Sequence, residues 1–112
     1  MINEICVVEA TAHMTAEEWD WVEPAADLII AEAQQHDRPI ILFDLEFAGF
    51  FGSIFLSLLL RCWKEIEQQG GTLAVCAAND HIQEVLRVSH LNKLWKLFDD
   101  RTSALEGLSK GN

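Results

Sequence analysis

Apolar positions along the chain switch several times between continuous runs and helical spacing, and turn residues punctuate each switch. Residues 5–12 (ICVVEATA) are rich in β-branched side chains without a breaker and predict a strand. Thr15 followed by Glu18 is a capping-box pattern, in which hydroxyl and carboxylate satisfy each other's free backbone N–H groups. Beyond it Trp19, Val22, Ala26, Ile29, Ile30 and Ala33 recur at helical spacing, with Asp20, Glu23, Asp27 and Glu32 falling on the water side. Pro24 lies inside this stripe and disfavours a helical Glu23, so the helix is expected to start late, with a separate first turn. Asp37-Arg38-Pro39 ends it.

Residues 40–45 (IILFDL) form a near-continuous apolar run, the pattern of a strand covered on both faces. A loop through Gly49 leads to a helix over 52–69, stopped at Gly70-Gly71, where glycine accepts the left-handed conformation. Residues 72–77 read as a third buried strand, and Asn79-Asp80 cap a short helix carrying Ile82, Val85 and Leu86. Residues 94–98 predict a short last strand and residues 102–108 a small terminal helix. This alternation predicts a single α/β domain over residues 1–112: a four- or five-stranded, mostly parallel (mixed) sheet with about four helices. The 40–45 and 72–77 strands, joined by one crossover helix, should be neighbours.

Charge narrows the choice of partners. The net charge is −10, and eleven of the eighteen acids lie in the first fifty residues beside one base, Arg38. Such a chain is repelled by phosphate backbones and anionic lipid, so protein surfaces, basic or mixed, are the expected partners rather than nucleic acid. The fourteen uncharged residues 47–60 are too few to span a bilayer and read as a core helix, without membrane insertion. Three cysteines, Cys6, Cys62 and Cys76, make no disulfide framework and suggest reduced thiols in the cytoplasm; the N-terminal sequence has no leader pattern. His13, His36, His81 and His90 lack metal-ligand spacing, and Glu17 and Glu18 diverge on a helix. With no nucleophile elbow, P-loop or zinc-protease motif, the expectation is a non-enzymatic chain with neither metal nor cofactor.

From Pro39 to Leu105 the chain resembles the STAS domain, the module shared by sulfate transporters and bacterial anti-sigma factor antagonists. The resemblance rests on an ordered set: IILFDL at 40–45, GGTLAVC at 70–76, IQEVL at 82–86, LNKL at 91–94, FDD at 98–100 and Ala104-Leu105. The family's signature at the start of the second helix usually reads Asp-Ser-Ser-Gly-Leu, its first serine being phosphorylated by a partner kinase. The matching stretch is Gly52-Ser53-Ile54-Phe55-Leu56. Ser53 matches the phosphoacceptor and Leu56 the core leucine, whereas Gly52, Ile54 and Phe55 replace the Asp, the second Ser and the Gly. The resemblance implies a cytoplasmic regulator that binds an anti-sigma factor, a serine-kinase-type ATPase, and lets go once Ser53 is phosphorylated. It equally admits a structural subunit that braces a transporter ATPase without a phosphorylation cycle.

Physical chemistry leaves two readings of Ser53. At a helix N-terminus the unpaired N–H groups and the macrodipole accept a phosphate, and the same position suits a plain serine N-cap. Phe50, Phe51, Ile54 and Phe55 surround it, and Ile54, Phe55, Leu56, Leu58, Leu59 and Leu60 leave almost no polar face. A helix apolar all round must be covered on several sides, so it is either enclosed or begins in an apolar docking patch. We read Phe51, Gly52, Ser53, Ile54 and Phe55 as that patch. Trp19 and Trp63 fit inward faces, Trp21 falls off its stripe, and Leu59 shares the sheet-facing side with Cys62 and Ile66.

Overall fold

The structure, a computed structural model, describes residues 5–9, 22–46 and 53–110; for Ser53, Ile54 and Lys110 it describes the backbone. Four strands alternate with four helices: β1 (Ile5–Glu9), α1 (Val22–Ala33), β2 (Ile40–Asp44), α2 (Ser53–Glu67), β3 (Thr72–Cys76), α3 (Asp80–Val88), β4 (Lys96–Phe98) and α4 (Arg101–Lys110). A single 3-10 turn, Leu91–Lys93, separates α3 from β4. The strands lie in chain order β1-β2-β3-β4, and all three pairings are parallel. Ile40 pairs with Thr72 and Asp44 with Cys76, so the two apolar runs are neighbours as expected. Among the described residues the sheet has four strands, all parallel, which is the lower of the two expected numbers.

The alternation of side chains across the pleat divides the core in two. Ile41, Phe43, Leu73 and Val75 join α1, α2, α3 and Trp95 in the larger cluster. Ile40, Leu42, Ala74 and Cys76 meet Ala104 and Leu108 of α4 in the smaller one. Every residue of β2 is buried, which is why its sequence shows no polar alternation.

The helices follow their stripes. Val22, Ala26, Ile29, Ile30 and Ala33 are the buried residues of α1. Pro24 is its third residue, where no intrahelical N–H bond is yet required, so the proline fits inside the first turn. Gly70 ends α2 with φ +73°, and a side chain on Gly71 would meet the Pro39 and Ile66 carbonyl oxygens at 2.7 and 2.8 Å. That close approach is what lets α2 turn directly into β3. Asn79 caps α3, its Oδ1 accepting from the Ile82 amide at 2.9 Å. Trp63 of α2 and Trp95 stack edge to face with ring centroids 6.5 Å apart. The strands predicted at 40–45, 72–77 and 94–98 are longer than those formed; β4 keeps three residues, because Trp95 turns into the core. The capping pair Thr15 and Glu18, and with it Trp19, Asp20, Trp21, Gly49, Phe50, Phe51 and Gly52, lies outside the described residues.

Candidate docking site

Ser53 is the first residue of α2, so the helix starts where the signature stretch places it. The first-turn amides of any helix have no intrahelical acceptor, and their dipoles add to a partial positive charge at this end. Ser53 is therefore the first helical residue and not the residue before it, where Asn79 caps α3; this gives it the N-terminal setting a phosphate requires and departs from the plain N-cap reading. Of the five residues read as a docking patch, Phe51 and Gly52 lie outside the described residues, as do the side chains of Ser53 and Ile54.

Phe55 corrects the expectation. Its ring is 2% exposed and belongs to the larger core cluster, so in the free protein it cannot meet a partner. The reason is register. Phe55, Leu58, Leu59, Cys62 and Ile66 form one stripe at three- and four-residue spacing, and the stripe faces the sheet. The outer side of α2 is not enclosed either: Leu56 and Trp63 are half-buried and Leu60 is 37% exposed. Val22, Glu23, Ser57, Leu60, Arg61 and Lys64 line a shallow groove between α1 and α2. Arg61 lies 3.5 Å from Glu23, 3.8 Å from Asp27 and 3.2 Å from Glu65. These pairs are exposed enough that water and salt leave them little net stability.

Sequence reasoning gave no role to a second group of residues at the carboxyl end of the sheet. Glu9, Asp44, Cys76 and Phe98 occupy one row of register partners across all four strands. Asp44 is 5% exposed and is the one buried charged residue among those described. Its Oδ1 accepts from the Glu46 amide at 3.0 Å and its Oδ2 from Arg101 Nε at 2.8 Å. Arg101 Nη2 also donates to Glu9. The carboxylates beside Arg101 hold its guanidinium charged above its ordinary range, through hydrogen bonds to Asp44 and then Glu9. Burial, reinforced by the Asp44 charge, pushes the Cys76 thiol up to about 11. Burial alone dominates at Cys62, up to about 12, and also raises Cys6, where Glu32 adds to it. All three are protonated thiols at neutral pH. The available signal was Asp44 itself, a lone acid in a run expected to be covered on both faces. Such an acid needs a cation, and the sequence does not say which.

Ala77, directly after Cys76, adopts φ 59°, a left-handed conformation unusual for a residue with a Cβ. Its amide donates to the Phe98 carbonyl at 3.2 Å, while the Leu45 amide donates to the Cys76 carbonyl at 3.0 Å. The ends of β2, β3 and β4 are thereby stitched together beyond the ladder. No cluster of three or more metal-ligating side chains occurs among the described residues, and no described helix is long and apolar enough to cross a membrane.

Comparison with known proteins follows the same outline. The STAS domain model matches residues 2–104. An anti-sigma F factor antagonist from Paenibacillus polymyxa is 28% identical over 104 residues, covering 93% of this chain and 86% of that protein. The structure of an anti-sigma-factor antagonist (STAS) domain protein from Planctomyces limnophilus is 32% identical with a TM-score of 0.77, over 91% of this chain and 88% of that one. A Thermotoga maritima protein solved by NMR reaches a TM-score of 0.79 at 17% identity, over 96% of this chain and 84% of that one, a likeness of fold alone.

Proposed function

The chain belongs to the STAS domain family, and from that premise we propose that it is a cytoplasmic anti-sigma factor antagonist, a regulatory protein that acts by binding rather than by catalysis. Its partner is an anti-sigma factor of the serine-kinase-type ATPase class, docked against the start of α2. The observation that carries this reading is Ser53 as the first residue of α2, the place of the family's phosphoserine. The helix start at Ser53 and Ile54 meets the partner, and further along α2 the exposed Leu60 lines the groove towards α1. Phe55, which replaces a small residue, contributes from beneath by filling the core.

The switch follows from charge. Phosphate on Ser53 brings about −1.5 to −2 charge, which the helix N-terminus tolerates and a desolvated apolar contact does not. The same reasoning fixes the test. Ser53→Asp places a carboxylate in the contact; the dipole offsets about 0.3–1 kcal/mol, whereas a desolvated, unpaired charge costs several. Binding should weaken by about 100-fold or more while the fold survives. Ser53→Ala removes only a hydroxyl from the first turn, changes folding stability by about 0.5 kcal/mol or less, and should bind like the parent. The partner is isolated by pull-down from native lysate with mass spectrometry and titrated by calorimetry, with circular dichroism reporting the fold. A histidine-kinase-like ATPase that phosphorylates Ser53 supports the proposal. A transporter ATPase, or a Ser53→Asp chain that binds as tightly as the parent, overturns it.

A further inference from the structure

The chain leaves the sheet for α2 at Asp44, the last residue of β2. Asp44 Oδ1 accepts from the amide of Glu46, so the carboxylate holds the turn that begins the connection to Ser53. Its other oxygen belongs to Arg101, 57 positions further along the chain, and the same guanidinium reaches back 92 positions to Glu9. Glu9 and Asp44 are register partners on adjacent strands. One cation therefore joins the end of β1, the end of β2 and the start of α4.

The chemistry makes these contacts interdependent. A carboxylate as buried as Asp44 stays ionised only with a cation or enough donors around it. Without the guanidinium it keeps the Glu46 amide and the hydrogen bond to Cys76. Its charge is then left uncompensated and is relieved by the carboxylate turning out to water, which takes the acceptor from the Glu46 amide. Arg101 touches neither Glu46 nor Ser53 in any contact described, so its influence runs through Asp44.

We propose that Arg101 is a positioning residue for the docking end of the molecule: through Asp44 it fixes the turn by which the chain passes from β2 towards Ser53, and so the way the start of α2 is presented. The use made of that turn rests on the docking reading above; the turn itself is tested without a partner. Amide exchange is followed by NMR on the full chain. Arg101→Met should speed exchange at Glu46 about tenfold or more while Leu73 and Val75, in the centre of the sheet, keep their rates. Arg101→Lys, a point charge without the fork that spans two carboxylates, should fall between parent and Met. Adding Asp44→Asn to Arg101→Met removes the stranded charge and keeps an acceptor for the Glu46 amide, so exchange there should return to within about threefold of the parent.

An unchanged Glu46 rate in Arg101→Met overturns the proposal. So does equal acceleration at Glu46, Leu73 and Val75, which is general destabilisation, or a double variant as fast as the single. Affinity for the ATPase recovered by pull-down supplies the second readout: about tenfold weaker in Arg101→Met and restored in the double variant. The two failures are separable. Tight binding by Ser53→Asp removes the docking reading and leaves the Glu46 result standing, whereas weak binding by Ser53→Asp with an unmoved Glu46 amide removes only the positioning role.

Discussion

The two faces of the sheet are held by different means. Towards α1, α2 and α3 the contact is apolar throughout, with Ile41, Phe43, Leu73 and Val75 meeting three helices. Towards α4 the apolar cluster is small, and at its carboxyl end it gives way to the charged row of Glu9 and Asp44 under Arg101. The first arrangement has no direction of its own, since apolar burial rewards area whatever the partner. The second is directional: the guanidinium fits its two carboxylates in one placement of α4. The larger face accounts for most of the stability, and the smaller one sets where the last helix sits and how β2 ends.

The largest effect should come from the three-helix face. Leu59 is fully buried in the stripe that includes Phe55, Cys62 and Ile66. Leu59→Ala should cost about 2–5 kcal/mol, read as a lower urea midpoint with an unchanged slope. Leu108, 4% exposed on α4, tests the other face. It lies in the last helix, over a smaller cluster, where the chain can relax into the space left behind. Leu108→Ala should therefore cost about 2 kcal/mol or less, with the loss of amide protection concentrated in α4. Equal costs at the two sites would erase the distinction between the faces.

Within the pH 8–9 range the mildest effect is a pH dependence to which both faces contribute. Cys62 on the three-helix side and Cys76 on the α4 side both have folded pKa values above the ordinary 9.0, at about 12 and about 11. Above pH 9 the unfolded thiols have lost their protons while the folded ones keep theirs, so unfolding releases protons and stability falls as pH rises. The contribution is whole below pH 9 and is lost as pH rises towards 11 for Cys76 and 12 for Cys62. Denaturant titrations at pH 8, 9 and 10 follow it, and Cys62→Ala should flatten the slope, with Cys6 and Cys76 supplying what remains.

The comparison also explains what could be read from the chain. The strands of β2 and β3 and the stripes of α1 and α2 were legible because burial by a continuous apolar face leaves a period in the local sequence. Their ends were less so: residue 45 and residue 77 continue the apolar pattern past the last ladder pair, and the structure ends both strands one residue earlier. Phe55 was misplaced because α2 has too few polar residues for the stripe to stand out, so a core residue and a surface residue looked alike. Ser53 was placed at the helix start by resemblance to a motif and capping chemistry together. The bond between Asp44 and Arg101 spans 57 positions, and no local window contains both residues; only the oddity of an acid in an apolar run marked one end of it.

That separation has a consequence in time. Strand order follows chain order, so each new strand can pair with the one just made while the chain is still being synthesised. Asp44 can lie between β1 and β3 only once Cys76 has been made, 25 positions ahead of Arg101. At about 5–20 residues per second, the ribosome delivers Arg101 roughly 1–5 s after Cys76. Throughout that interval the nascent sheet holds an acid whose counter-charge has yet to be made. A buried acid without its counter-charge is costly, so the carboxyl end of the sheet should close last, when α4 arrives.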